Sequence, residues 1–386
     1  MRLSRKAAVF VLMAASAWAP RAQAQTFHLL YTFTNAAADG ANPFGTPLLY
    51  QGNLYGTASA GGAFSVGTVF SLDLESRQLT VLHSFTGTDG ASPNAGLIVD
   101  PAGNFYGTTT GYPTPFLGTV FQMSSTGAVT VLYAFTGPDG SEPYYGKLVR
   151  DSAGNLYGTT LGGGAGGTGT VFKLDTSGNL TTLHSFGNTT GDPYDGLLVE
   201  NGVFYTACDG DFIPGNSNLG TLFALNPATS QAANIYRFIG NGSGALPLGG
   251  LTGDGQGNLY GTASYSSTNF SGNGVVFGFN LASRQYTVLH AFAGGPADGA
   301  FPGSAMVMDS QGKLYGTTIE GGTYGSGTVF EMDTAGNLTI LYSFDGANTG
   351  SHPSGLTMDS QGNLYGVTAY GGNNSSGYGT VFVITP

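Results

Sequence analysis

Large apolar and small polar residues alternate along short runs of this chain, and Gly, Asn, Asp and Ser bound each run. This alternation is typical of β-strands. In the last unit it predicts strands A, B and C over 355–359, 363–368 and 379–384, and a D strand is typified by 337–344. No segment after residue 24 carries a sustained helical period, so we expect an almost all-β protein.

The predicted strands recur with a period of about 50 residues, which marks a tandem repeat. Strand B carries the motif Gly-x-Leu-Tyr-Gly-Thr or a close variant, with its ring at Tyr55, Tyr106, Tyr157, Tyr205, Tyr260, Tyr315 and Tyr365. Strand C ends its Gly-Thr-Val-Phe motif or a near copy at Phe70, Phe121, Phe172, Phe223, Phe277, Phe330 and Phe382. Strand D ends at Phe33, Phe85, Phe135, Phe186, Phe238, Phe292 and Phe344. The chain therefore contains seven units of four short strands.

The order of the strands favours a closed ring. The first D strand, 27–33, precedes the first A strand, and the seventh C strand is the last element of the sequence. In a ring the N-terminal strand would complete the last unit and remove an exposed sheet edge. We therefore predict a seven-bladed β-propeller of four-stranded blades over residues 25–386, forming one domain.

Residues 1–24 have the features of a signal peptide. Arg2, Arg5 and Lys6 precede an apolar stretch, and 22–24 read Ala-Gln-Ala, a typical cleavage site. We expect export to the periplasm or the outside of the cell, with no membrane span. Seven basic residues would then remain against 22 acidic ones, a net charge of about −15 that disfavours nucleic acid. Cys208 is the single cysteine, which excludes an intrachain disulfide.

The repeated motifs Leu-Tyr-Ser-Phe, Asp-Gly-x-x-Pro, Gly-Asn-Leu-Tyr-Gly-Thr-Thr and Gly-Thr-Val-Phe resemble the bacterial tandem repeat labelled GloVer. The resemblance covers essentially the whole chain after residue 24. It implies an exported protein and assigns no activity, and the sorting anchor that many members carry is not seen at the C-terminus of this sequence. The blades are more loosely similar to NHL-type and streptogramin-lyase-type propellers, a likeness that concerns fold only.

Most of the repeated polar residues fit structural roles. Asp100 and Asp151 typify acids that precede a Gly by three positions, as in a type I turn between strands A and B. His83, His184 and His290 share one repeat position with Tyr, which indicates a half-buried ring with a polar tip. No motif for a catalytic serine, zinc site or phosphate loop is present. No cofactor is evident, and the acidic loops leave calcium as an alternative.

We expect the functional site where the repeat is interrupted, on the face that the D–A and B–C loops share. These loops carry many aromatic residues, which suit sugar faces or protein partners. Blades 3 and 4 depart most from the repeat: Lys147 stands at a position that is otherwise small or apolar, as in Gly96, Gly250 and Gly355, and blade 4 adds Asp209 and Asp211 at loop sites expected to be exposed. The candidate ligand-binding residues are Glu142, Tyr144, Tyr145, Lys147, Arg150, Asp192, Tyr194, Asp195, Asp209, Asp211 and His352. Local packing of the rings and a solvated set of acids remain alternatives.

These features favour an exported module that binds a glycan or a protein, most plausibly carbohydrate. The competing class is a polysaccharide lyase or glycoside hydrolase that would use carboxylates, Tyr, Lys and Arg at the channel mouth. A structural envelope protein would show neither activity. The sequence does not identify the ligand or the oligomeric state.

Overall fold

A computed structural model describes residues 25–112, 117–187, 191–210, 219–267, 271–373 and 377–386. These residues contain strands and no helix, which confirms the all-β prediction. The predicted signal peptide and Asp211 lie outside the described residues. The described part of the chain contains no helix of the length and apolar character needed to cross a membrane.

Seven four-stranded antiparallel sheets form the blades of a β-propeller. Blades 1 to 3 comprise β2 (Leu48–Tyr50), β3 (Asn53–Ala58), β4 (Thr68–Asp73), β5 (Leu79–Ser84); β6 (Ile98–Val99), β7 (Phe105–Thr109), β8 (Thr119–Met123), β9 (Val129–Ala134); and β10 (Val149–Arg150), β11 (Leu156–Thr160), β12 (Thr170–Leu174), β13 (Leu180–Ser185).

Blades 4 to 6 comprise β14 (Leu198–Glu200), β15 (Val203–Cys208), β16 (Thr221–Asn226), β17 (Gln231–Arg237); β18 (Thr252–Gly253), β19 (Asn258–Ala263), β20 (Val275–Asn280), β21 (Tyr286–Ala291); and β23 (Val307–Met308), β24 (Leu314–Thr318), β26 (Thr328–Met332), β27 (Leu338–Ser343). A separate two-stranded pair, β22 (Gly299–Ala300) with β25 (Glu320–Gly321), joins two loops of blade 6.

Blade 7 closes the ring with strands from both ends of the chain. It contains β28 (Ser351–Met358), β29 (Leu364–Tyr370), β30 (Thr380–Thr385) and, as its outer strand, β1 (Thr26–Thr32). Strand β1 pairs antiparallel with β30 from Thr26 opposite Thr385 to Thr32 opposite Thr380. The predicted closure by the N-terminal strand is confirmed.

The core lies between blades and is built from the repeated Phe residues. The D-strand Phe of each blade packs edge-on against the C-strand Phe of the next blade, in the pairs Phe33–Phe70, Phe85–Phe121, Phe135–Phe172, Phe186–Phe223, Phe238–Phe277, Phe292–Phe330 and Phe344–Phe382. Their ring centroids are between 4.8 and 5.6 Å apart, within the range of favourable aromatic pairs. All seven blade interfaces therefore repeat one contact.

The turn prediction for the repeated acids is confirmed. Asp151 accepts hydrogen bonds from the backbone N–H and side-chain amide of Asn155 at 2.8 and 2.7 Å, and Gly154 N–H donates to its carbonyl. The hydroxyl of Tyr157 also donates to the Asp151 carboxylate at 3.1 Å. The same tyrosine contact recurs in Tyr106–Asp100, Tyr315–Asp309 and Tyr365–Asp359. The B-strand Tyr thus fixes the A–B turn of its own blade.

The D-strand His and Tyr residues are also structural. His83 Nε2 lies 2.8 Å from the Asp89 carboxylate, and Tyr31 donates its hydroxyl to Asp39 at 3.2 Å. The acids belong to the D–A connection, so these pairs hold the outer strand to the loop that follows it. Burial and then the neighbouring Asp39 raise the pKa of Tyr31 to about 12, which keeps its hydroxyl a donor.

Candidate functional site

The D–A and B–C loops share one face of the propeller, as predicted, because they pair with each other. Single backbone bridges join Ala41 to Ala60, Ser141 to Gly162, Pro193 to Cys208 and Ala245 to Tyr265. In blade 7 the same pairing extends strand β28 back to Ser351, opposite Tyr370. Each D–A loop is therefore held by its own blade before it turns into the inner strand.

Proline anchors the D–A loops to the neighbouring blade. The Pro143 ring lies against Gly118 of blade 2, where any Cβ would come within 2.6 Å of it. The residue before the proline adopts a left-handed backbone in six blades, at Asn42, Ser92, Glu142, Leu246, Phe301 and His352, with φ from 50° to 56°. Its N–H bonds the neighbouring blade, as in Glu142 N–H to the Leu117 carbonyl at 2.8 Å. The backbone next to the channel is thereby fixed.

A cavity of about 420 Å³ occupies the channel. A ring of residues at the same repeat position in all seven blades lines it, at Thr46, Gly96, Lys147, Gly196, Gly250, Ala305 and Gly355. Lys147 is the one charged member of this ring. Two residues further along the inner strands, Leu48, Val149, Leu198 and Val307 add apolar side chains to the lining, and Thr252 and Thr357 add hydroxyl groups.

Lys147 lines the cavity, as predicted from its replacement of glycine at this repeat position. Water reaches its side chain, but the channel surrounds it with protein atoms. The resulting loss of hydration lowers the pKa of Lys147, and the carboxyl group of Asp195 opposes this effect. The ion pairs within 4.0 Å among the described residues are His83–Asp89, His290–Asp298 and Lys313–Glu331, and none includes Lys147.

Asp195 reaches from blade 4 towards blade 5. Its Oδ1 accepts a hydrogen bond from Gly196 N–H at 2.6 Å, and its Oδ2 lies where a Cβ on Gly250 would stand 2.7 Å away. Burial raises the pKa of Asp195, while the N–H groups of Gly196 and Gly250 and the charge of Lys147 act in the opposite direction. Both oxygens thus face backbone groups of the channel wall.

Three aromatic rings that line the cavity, those of Phe44, Tyr145 and Tyr194, lie in contact with one another as a chain. Tyr145 lies 5.3 Å from Tyr194 and 5.8 Å from Phe44, and Phe44 in turn lies 6.0 Å from Tyr370. Burial raises the pKa of Tyr145 and of Tyr194 well above the usual value. Their hydroxyls are therefore hydrogen-bond donors and poor bases at neutral pH.

His352 lies on the cavity wall beside Tyr370, with ring centroids 5.3 Å apart. Its Nδ1 is buried without a hydrogen-bond partner. Burial lowers the pKa of His352, against the opposing effect of Glu320, so the neutral ring is favoured.

The structure brings Tyr145, Lys147, Tyr194, Asp195 and His352 together at one cavity, and Tyr144 packs on Tyr145 at 4.2 Å.

Other predicted residues lie elsewhere. Arg150 lies 5.9 Å from the centre of the Tyr106 ring and does not line the cavity. Glu142 is exposed on the loop.

The exposure expected of Asp209 is wrong. Its side chain is only 5% exposed, because it accepts a hydrogen bond from Asp192 N–H at 3.1 Å, and its own N–H donates to the Asp192 carbonyl. The two acids belong to one loop junction of blade 4. Asp211 lies outside the described residues.

Phe44, which lines the cavity, and Tyr370, which packs on Phe44 and His352, are not among the residues predicted from the sequence. Apart from His352, the residues predicted from the sequence follow departures from the repeat in blades 3 and 4. A signal was present: Phe44 directly follows Pro43, as Tyr144 follows Pro143 and Tyr194 follows Pro193. This repeat position therefore turns its side chain towards the mouth in several blades.

The described residues contain no group of three or more His, Cys, Asp or Glu side chains placed to hold a metal ion.

Comparison with known proteins supports the repeat assignment. The family model described as a Gloeobacter/Verrucomicrobia repeat matches residues 17–214 and 212–386. This match confirms the resemblance drawn from the repeated motifs. A search of curated proteins gives no match to this chain.

Several solved structures are similar in fold. An oligogalacturonate lyase from Vibrio parahaemolyticus is 13% identical, with 94% of this chain and 97% of that chain covered and a TM-score of 0.53. A gluconolactonase from Xanthomonas campestris is 14% identical, with 94% and 89% covered and a TM-score of 0.48. TolB from Acinetobacter baumannii is 14% identical, with 71% and 59% covered and a TM-score of 0.43. At these identities the likeness to the lyase concerns the fold alone.

Proposed function

This chain belongs to the Gloeobacter/Verrucomicrobia repeat family, and we propose that it is an exported propeller that binds carbohydrate in its central channel. The observation that carries the proposal is the chain of rings around a cavity of about 420 Å³. Cavities of roughly 300–1,000 Å³ accommodate small ligands, and aromatic faces suit the apolar faces of sugar rings.

The polar groups at the cavity also suit a sugar. Tyr145 and Tyr194 offer hydroxyl donors, and Asp195 and the ring of His352 add further polar groups to the cavity lining. Tight binding of a polyol needs such groups in fixed positions, since an unpaired buried hydroxyl is costly. The proline-anchored loops supply that rigidity.

The titratable side chains favour binding over catalysis by a cysteine nucleophile or by a pair of carboxylates. Among the described residues that line the cavity, Asp195 is the one carboxylate, whereas glycoside hydrolysis typically uses two. Burial raises the pKa of the Cys208 thiol, which disfavours the reactive thiolate.

A polysaccharide lyase is the second candidate, and Lys147 is the observation that favours it. Burial lowers the pKa of this amine, which increases the fraction that could accept a proton from a sugar carbon. Incubation with a panel of polysaccharides separates the candidates. Saturable binding without product supports a binding module, whereas new reducing or unsaturated ends would establish an enzyme.

The signal-peptide features support export, with a glycan or protein outside the cytoplasm as the partner. The N-terminal residue of protein recovered from the producing cell tests this part of the proposal, and Gln25 is expected. Recovery of the protein with residues 1–24 intact would contradict it.

A glycan array run with and without calcium tests the binding proposal, followed by titration of the best ligand. We expect Tyr145→Ala to weaken binding by about tenfold, because the ring loses its contact with the sugar. Tyr324→Ala is the matched control, since Tyr324 is 65% exposed and outside the cavity. A thermal melt checks that both variants fold. Equal binding by both folded variants would place the ligand elsewhere, and a requirement for calcium would show a cation in the site.

A further inference from the structure

The cationic group of Lys147 has no counterpart in the other blades. Its six equivalents around the channel are Gly, Ala or Thr, so the ring offers no second charge at this depth. The ammonium group forms no ion pair within 4.0 Å and takes part in none of the side-chain hydrogen bonds of the described residues. An ammonium group that is open to water and has no protein partner is available to bind an anionic group of a ligand in the channel.

Asp195 does not neutralise this charge at contact distance. Its carboxylate faces the N–H groups of Gly196 and Gly250. It lies so close to the Gly250 backbone that a side chain at that position would collide with it. His352 also lines the cavity. Burial lowers its pKa, which favours the neutral ring. Lys147 is thus the strongest free donor in the cavity.

We propose that the cavity selects a sugar bearing an anionic group, a carboxylate or a sulfate ester, which Lys147 binds while the sugar ring contacts Tyr145 and Tyr194. This inference rests on the proposed carbohydrate binding and names its ligand class. The geometry that supports it is a single cation in the ring of equivalent residues around the channel, with the aromatic side chains of Tyr145 and Tyr194 on the same cavity lining. An anion there favours the charged form of the ammonium group.

The net negative charge of the protein does not oppose this selection. The chain has a formal net charge of −11, but Asp195 is the one described acid that lines the cavity. Surface carboxylates more than about 8 Å away are largely screened at physiological ionic strength, whereas a group inside the channel is screened less.

The test uses the mature full chain and isothermal titration with three probes: galacturonate, galactose 6-sulfate and neutral galactose. The decisive variant is Lys147→Met, which keeps a side chain of similar length and removes the charge. Lys173→Met is the matched control, because Lys173 lies over the Tyr157 ring at 5.9 Å and outside the cavity. Thermal melts establish that each variant is folded.

We expect the wild type to bind at least one acidic probe more tightly than galactose. Lys147→Met should weaken that binding about 10- to 100-fold and weaken binding of galactose much less, whereas Lys173→Met should change neither. Preference for galacturonate assigns a carboxylate ligand, and preference for galactose 6-sulfate assigns a sulfate. Equal binding of all three probes, or acidic binding that survives Lys147→Met, would overturn the inference and leave carbohydrate binding standing. If no sugar binds here or on the glycan array, both proposals fail.

Discussion

At the scale of single residues, the glycine that follows the B-strand tyrosine sets how closely strand C can pack. A Cβ added to Gly158 would lie 2.7 Å from the tip of the Phe172 ring, and Gly56 and Gly107 face their own C-strand Phe in the same way. The glycine is therefore required by the ring opposite it in the blade. Blade 4 is the exception, with Thr206 opposite Phe223, whose ring lies 4.7 Å from that of His184.

This contact makes a prediction for stability. Gly158→Ala should lower the free energy of unfolding by about 1–3 kcal/mol, because the added methyl group overpacks the Phe172 ring. Gly187→Ala is the matched control, since nothing lies within 4 Å of its added Cβ and its backbone is not left-handed. Urea unfolding of the two variants measures the difference. Equal free energies of unfolding for Gly158→Ala and Gly187→Ala would show that the blade accommodates the methyl group without strain.

The candidate site also shows what single residues could and could not reveal. Lys147 could be placed in the channel from the sequence, because a long side chain at a glycine position has no other space. The contact between Phe44 and Tyr370 could not be predicted, since it depends on how blades 1 and 7 meet across the ring closure. Asp209 was misplaced because burial of a loop acid depends on the partner loop that bonds it.

At the scale of strands, most of the repeat could be predicted because alternation and turn residues are local signals. The predicted D strand over 337–344 is Leu338–Ser343 in the structure. The predicted A strand over 355–359 was too short, since β28 begins at Ser351. The additional residues pair with the end of strand β29, Ser351 opposite Tyr370 and Pro353 opposite Thr368, a contact that the sequence pattern does not encode.

Strand β1 carries a prediction about ring closure. The Phe27 ring is stacked on Tyr342 of blade 6 at 3.8 Å and also packs on Phe382 at 5.8 Å, so one side chain joins the two blades. Phe27→Ala should lower the free energy of unfolding by about 2–4 kcal/mol through the lost ring contacts. His28→Ala is the control on the same strand, because His28 is exposed. Thermal melts of the two variants give the comparison.

Deletion of residues 25–33 extends the same argument to the whole strand. It removes the partner of β30 and leaves an unpaired sheet edge in blade 7. We expect a lower melting temperature and association through that edge, measured by calorimetry and light scattering. A truncated protein that stays monomeric with an unchanged melting temperature would contradict closure by β1.

At the scale of the whole molecule, the repeated A–B turns make stability depend on pH. Burial raises the pKa of Asp100, Asp151, Asp254 and Asp359, but the hydrogen bonds from Asn and backbone N–H groups outweigh it and leave each pKa below 3.8. A carboxyl group whose pKa is lower in the folded chain stabilises the fold above its unfolded pKa. That contribution is lost as the pH falls through the folded value.

Acidification also lowers the net negative charge, and the weaker repulsion between carboxylates stabilises the fold. Because this acts against the loss from the turns, a single variant is needed to measure the contribution of one turn. Asp151→Asn should be less stable than the wild type by about 1–2 kcal/mol at pH 5–7, because an amide nitrogen cannot accept the bonds from Asn155 and Tyr157. The difference should shrink below about pH 4, where the wild-type carboxyl group is itself protonated. Glu75→Gln, at an exposed site, should follow the wild type throughout. Melting temperatures measured from pH 7 to pH 2 decide the matter: a constant gap between Asp151→Asn and the wild type would show that the turn does not depend on the charge of its acid.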